Sequence, residues 1–153
     1  MEPDPLTRIK AFLDDIGIAV HEGVLDDTSF LPGVTSRGNS IIYDADRLQF
    51  PGDLLHEAGH LALMSPPQRA AAGGDFGTED GLEMAAIAWS HAAATHLGLP
   101  LDCVFHEGGY RGDAGWLRDL FGSGKFIGVP VLEWKGLCRG TAYPTMNAWL
   151  SQE

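Results

Sequence analysis

Asp53-Leu54-Leu55-His56-Glu57-Ala58-Gly59-His60-Leu61-Ala62-Leu63-Met64 is the stretch from which the rest of the chain can be read. Leucine and alanine fill it with helix formers, so it predicts a helix over roughly 53–64. Pro51-Gly52 reads as a loop ending in Asp53 as N-cap, and Pro66-Pro67 as the stop. Residues four apart on a helix share a face, so His56 and His60 can reach one metal ion. Glu57 lies beside that face, where it can act as general base on a water activated by the metal. The flanking leucines and alanines bury this helix. Two histidines and a carboxylate there need partners, because an unpaired buried polar group is costly. The competing reading is a helix whose histidines are satisfied by the core or by solvent, without a metal.

Three protein ligands and one open position are usual for a catalytic zinc. The third is expected from Glu83, 23 residues past His60, at the start of a second long helix over 81–97 that Gly98-Leu99-Pro100 stops. Ala85, Ala86 and Ala88 keep that helix slim and Gly59 thins the first, so the two can approach closely. Glu83 has a second reading, as the far end of a capping box opened by Asp80. Asp75, Glu79, Asp80 and His91 are rivals for the third position. His91 lies eight residues beyond Glu83 on the same face. That is about 12 Å along the axis, too far to share a metal with it.

Further out, Asp4-Pro5 followed by Leu6, Ile9, Phe12, Leu13 and Ile16 predicts an amphipathic helix ended by Gly17. Apolar runs over 18–24, 29–34 and 39–43, with a turn at 36–39, predict a small antiparallel or mixed sheet. Residues 65–81 read as a loop with a short alanine-rich turn at 69–72. A short helix is expected over 113–121, a loop or edge strand over 126–134 and a last helical turn over 144–150. The fold class is α+β, one domain over 1–153, with the sheet packed on the motif helix and on the helix that carries Glu83.

The order of these elements resembles a known family. Gly17-Ile-Ala-Val-His-Glu, a Leu-Pro-Gly strand, Asn39-Ser-Ile-Ile-Tyr, Leu55-His-Glu-Ala-Gly-His-Leu-Ala-Leu and a helix opening Glu83-Met-Ala-Ala-Ile-Ala-Trp look like the compact gluzincin metallopeptidases of the ImmA/IrrE type. The resemblance covers roughly residues 5–97. It implies a minimal zincin-like fold, a Zn2+ ion on His56, His60 and Glu83, and Glu57 as general base. Some members cleave repressor or regulatory proteins in the bacterial cytoplasm. The alanine-rich second helix, with His91 and His96, departs from the bulkier family pattern, and residues 98–153 match nothing in it.

The expected function is therefore a zinc-dependent hydrolase acting on a peptide or protein. The alternatives are a zinc-binding module without catalysis, or a regulatory or interaction protein on a peptidase-like fold. A donor to the developing oxyanion is expected from His106 or Tyr110 in His106-Glu-Gly-Gly-Tyr110, against the plainer reading of a surface turn anchored by the tyrosine. His91 and His96 read as core or supporting residues, His21 as incidental. Trp89, Trp116, Trp134 and Trp149 read as core or groove walls.

Bulk properties narrow the classes. A net charge of −11 over 153 residues argues against nucleic-acid binding, which depends on neutralising phosphates. No run of 18 apolar residues is present, which argues against a membrane span. Met-Glu-Pro-Asp-Pro lacks a secretory apolar segment, pointing to the cytoplasm. Cys103 and Cys138 are too few for a disulfide framework and read as reduced thiols.

Overall fold

A computed structural model describes residues 4–25, 33–72, 80–106 and 114–152, with the side chains of Asp80, Gly81 and Ala114 left out. Helix α1 runs Pro5–Ile16. Asp4 caps it through a 2.7 Å bond from Thr7 N, and Gly17 ends it at φ 100°, a left-handed conformation that glycine adopts without steric cost. Ile9, Phe12 and Leu13 form its buried stripe.

Three strands follow, β1 (Ala19–Glu22), β2 (Val34–Ser36) and β3 (Ser40–Tyr43), in the order β1-β3-β2. β1 runs parallel to β3, with Ala19 opposite Ser40 and Glu22 opposite Tyr43. β2 runs antiparallel to β3 across the turn expected at 36–39, with Val34 opposite Tyr43 and Ser36 opposite Ile41. The sheet is thus mixed, and the fold α+β. Strand β2 begins five residues later than the sequence implied, and residues 29–32 of that expectation lie outside the described residues. Ile41 and Tyr43 alternate inward from β3, the period of a half-buried strand.

Helix α2 is Asp53–Ala62. It packs against α1, β2, β3 and the long helix α4 (Asp80–His96), so nearly every residue of it is buried. Gly59 is the point of closest approach: a Cβ there would lie 2.8 Å from the Ala86 carbonyl oxygen. Only a helix without a side chain at 59, facing the alanines of α4, lets the two backbones come this near. From Ala85 to Ala94, α4 is buried all round, with Trp89 at its centre.

Several boundaries differ from the sequence reading. Asp53 is the first residue of α2 rather than its cap, which is Gly52. Pro66 and Pro67 do not close α2. They open α3 (Pro66–Ala70), where a Ser65–Gln68 capping box supplies the start and proline needs no N–H. This helix replaces the turn expected at 69–72. The expected short helix is α5 (Ala114–Gly122).

The segment expected as a loop or edge strand contains α6 (Val129–Trp134). Pro130 is tolerated in its first turn. Gly128 precedes it at φ 80°, so close to α4 that a Cβ would fall 2.1 Å from the Met84 carbonyl. Residues 144–150 are not helical, and Asn147 N bonds Leu137 O at 2.8 Å instead. Among the described residues no helix is long and apolar enough to cross a membrane.

Arg69, buried on α3, holds the far end of α2. Its guanidinium donates to the carbonyls of Leu61 (3.3 Å), Met64 (2.6 Å) and Ser151 (2.9 Å). Ser151 N bonds Ala62 O at 2.8 Å. The carbonyls of Leu61 and Ala62, two of those that the C-terminus of α2 leaves unsatisfied, are thereby paired, and Ser151 is pinned against that end.

Candidate metal centre

The close contact at Gly59 sets α4 against α2 so that its first turn presents Glu83 to the histidine face. His56 Nε2 lies 3.1 Å from Glu83 Oε1, and His60 Nε2 lies 3.0 Å from Glu83 Oε2. The two Nε2 atoms are 3.3 Å apart, with the rings nearly perpendicular at 83°. His56 is buried, His60 and Glu83 partly so. Each residue thus offers one ligand atom to a common point, all within 4.8 Å of one another.

This donor set fits a divalent cation. Donors bound to zinc at about 2.0–2.1 Å in tetrahedral geometry stand about 3.3 Å apart, close to the 3.0–3.3 Å spacings seen here. Two imidazole nitrogens facing each other at 3.3 Å leave room for one proton between them, whereas a cation accepts a lone pair from each. Burial works to raise the Glu83 carboxyl. The hydrogen bonds and charge of His56 and His60 outweigh it and hold Glu83 well below the usual range, ionised as a ligand must be. Burial pushes His60 down, towards the neutral form that binds metal. With both Glu83 oxygens on the histidines, the capping role is not taken up, and Asp80 is itself the first helical residue.

Glu57 is 3% exposed, and its Oε2 has no hydrogen-bond partner among the described residues. Burial, then the negative charges of Asp53 and Glu83, push its carboxyl up to about 8. A buried, unpartnered, basic oxygen beside a metal-binding triangle has the properties wanted of a general base.

The remaining expected residues are placed differently. His106 is not at a site mouth. It is buried, stacked on Phe50 with ring centroids 3.6 Å apart, and bonded through Nε2 to Asp53 Oδ1 at 2.6 Å. Its sequence neighbourhood of glycines pointed to an exposed turn, but the preceding 3-10 helix Leu101–Cys103 carries it inward. Tyr110, Asp75 and Glu79 lie outside the described residues, and the side chain of Asp80 is among those left out. Asp53 was readable only as a cap. Its partner lies 53 residues away, and nothing local announces it.

His91 is excluded as a ligand. Its ring is packed with Phe105, Phe121, Phe126 and Tyr143. Tyr143 gives its hydroxyl hydrogen to the Ala88 carbonyl at 2.7 Å, so the 2.7 Å contact with His91 requires Nδ1–H of His91 to donate to the tyrosine oxygen. Burial holds His91 down at about 4, against an ordinary 6.5. Folding therefore favours its neutral form, and that stabilisation is complete above pH 6.5 and is lost as pH falls towards 4. Urea unfolding of wild type and His91→Phe between pH 7 and 4.5 should show the difference. The wild type should lose stability more steeply, by up to about 1.4 kcal/mol per pH unit from this one group. Equal slopes would contradict the assignment.

His96 and His21 are exposed, the former against Phe12 and Trp149. Trp89 is core and bonds the Trp149 carbonyl at 2.9 Å. Trp116 and Trp134, expected in the core or a groove wall, are 53% and 76% exposed. Cys103 and Cys138 are free thiols. Comparison with known proteins finds no family model, no curated protein and no solved structure that matches this chain.

Proposed function

We propose that this chain is a zinc-dependent hydrolase of the gluzincin peptidase type, acting on a peptide or protein. The observation that carries the reading is the convergence of His56, His60 and Glu83 beside the unpartnered Oε2 of Glu57. A structural metal site has no use for a buried carboxylate with a free oxygen at its edge, because that oxygen costs stability and returns none. His56, His60 and Glu83 would hold the ion. When bound, zinc supplies a Lewis acid that acidifies water and polarises a carbonyl. Glu57 takes the proton of the attacking water at Oε2 and delivers it to the leaving nitrogen. Glu57 itself is buried at 3% exposure on a helix whose Leu54, Leu55, Ala58 and Leu61 belong to the core. The resemblance to ImmA/IrrE-type peptidases supports a cytoplasmic protein substrate as part of the same proposal.

Elemental mass spectrometry of the purified, untagged protein tests the first half. About one zinc per chain is expected at a three-ligand site. A chelator should abolish cleavage of a peptide library, and zinc should restore it. A protein that carries no metal and takes up none when zinc is supplied would overturn the reading.

A further inference from the structure

Residues 103–106 dock on the start of α2 through three contacts close in sequence. His106 stacks on Phe50. The Cys103 carbonyl sits on Gly52, where a Cβ would come within 1.9 Å of its oxygen. His106 Nε2 bonds Asp53 Oδ1 at 2.6 Å, with both residues buried. Packing of this kind would hold the segment in place without an ion pair. The pair is also a poor stabiliser, because Asp53 Oδ2 is buried with no hydrogen-bond partner among the described residues. A half-satisfied buried pair is commonly no better for stability than apolar residues of the same volume.

What Asp53 does have is position. It precedes Glu57 by four residues on α2, so the two carboxylates lie on one face a single turn apart. Each keeps one buried oxygen without a hydrogen-bond partner among the described residues, and like charges four apart on a helix repel.

We propose that Asp53, fixed by His106, is a positioning residue for Glu57: its charge, one turn behind the base, keeps the Glu57 carboxylate from folding back along the helix and leaves Oε2 free beside the metal-binding triangle. The inference rests on the hydrolase reading for its consequence in turnover, but not for its geometry.

Asp53→Asn tests it. The new amide still accepts from His106, so the docking of 103–106 is kept, while the repulsion is replaced by a donor that can capture Glu57. Crystal structures of the zinc-loaded wild type and variant should show Glu57 turned towards residue 53 in the variant alone. Zinc content and Tm should match wild type. In peptide cleavage kcat should fall about 100-fold, as for a catalytic group displaced by an ångström, with KM little changed. His106→Gln, which keeps a donor on a charged Asp53, should leave Glu57 where wild type has it. Glu57 unmoved in Asp53→Asn would overturn the proposal, as would a variant that unfolds or loses its zinc, since the pair would then serve the fold. If zinc-loaded wild type cleaves nothing, the hydrolase reading fails by itself, and the position of Glu57 in the two crystals still decides the role of Asp53.

Discussion

Glu57→Gln is expected to keep its zinc and its fold and to lose hydrolysis by roughly 10²–10⁴-fold, the contribution of a placed general base. The substitution is isosteric, and Glu57 Oε2 has no hydrogen bond among the described residues to lose. An amide cannot accept a proton from the attacking water, so the chemical step fails while the metal triangle, which does not include residue 57, is untouched. Burial and the charges of Asp53 and Glu83 already push the Glu57 carboxyl up to about 8, so at pH 7 in the metal-free protein the amide replaces a largely protonated acid. Tm of the metal-free variant at pH 7 should therefore stay close to that of wild type. Zinc content, Tm and cleavage rate measured on one preparation separate the outcomes. Unchanged cleavage would remove Glu57 from the mechanism. Loss of zinc together with activity would mean that the residue shapes the site rather than acting in it.

The readable part of this molecule is the part governed by local periodicity. His56 and His60 declare their shared face by spacing alone, Asp4-Pro5 and Gly17 bound α1 correctly, and Gly59 opposite an alanine-rich helix foretold the close packing of α2 on α4. Glu83 was legible as one of two roles. Only the tertiary contact shows its carboxylate against His56 and His60, because a carboxylate in the first helical turn looks the same whether it caps or turns across to a neighbour. What failed was decided by partners distant in the chain. Asp53 has the chemistry of a cap and was read as one, yet its carboxylate is drawn to His106. Pro66-Pro67 stops one helix and starts another equally well. The 126–134 segment, broken by Gly128 and Pro130, lacks helical periodicity, and its helix takes shape against α4. The parallel pairing of β1 with β3 likewise follows from how the chain crosses over, which no strand sequence states.

Glu83→Ala should lower zinc affinity by more than about 100-fold, beyond the 10–100-fold typical of losing a group that only supports a ligand. Among the described residues the carboxylate is the one donor that α4 supplies, and it meets both histidines at 3.0–3.1 Å. Without it, two imidazoles on one helix face a cation with no negative charge among its ligands. The fold should survive, since α4 is held by the buried stretch from Ala85 to Ala94 rather than by its first turn. If Glu83 is a cap instead, the same substitution leaves zinc bound and costs about 1 kcal/mol of stability. Titration against a competing zinc chelator, with urea unfolding of the metal-free protein in parallel, distinguishes the two. A large affinity loss with stability near wild type assigns Glu83 to the metal. An unaltered affinity would return the third position to a residue outside the triangle and dismantle the site as described.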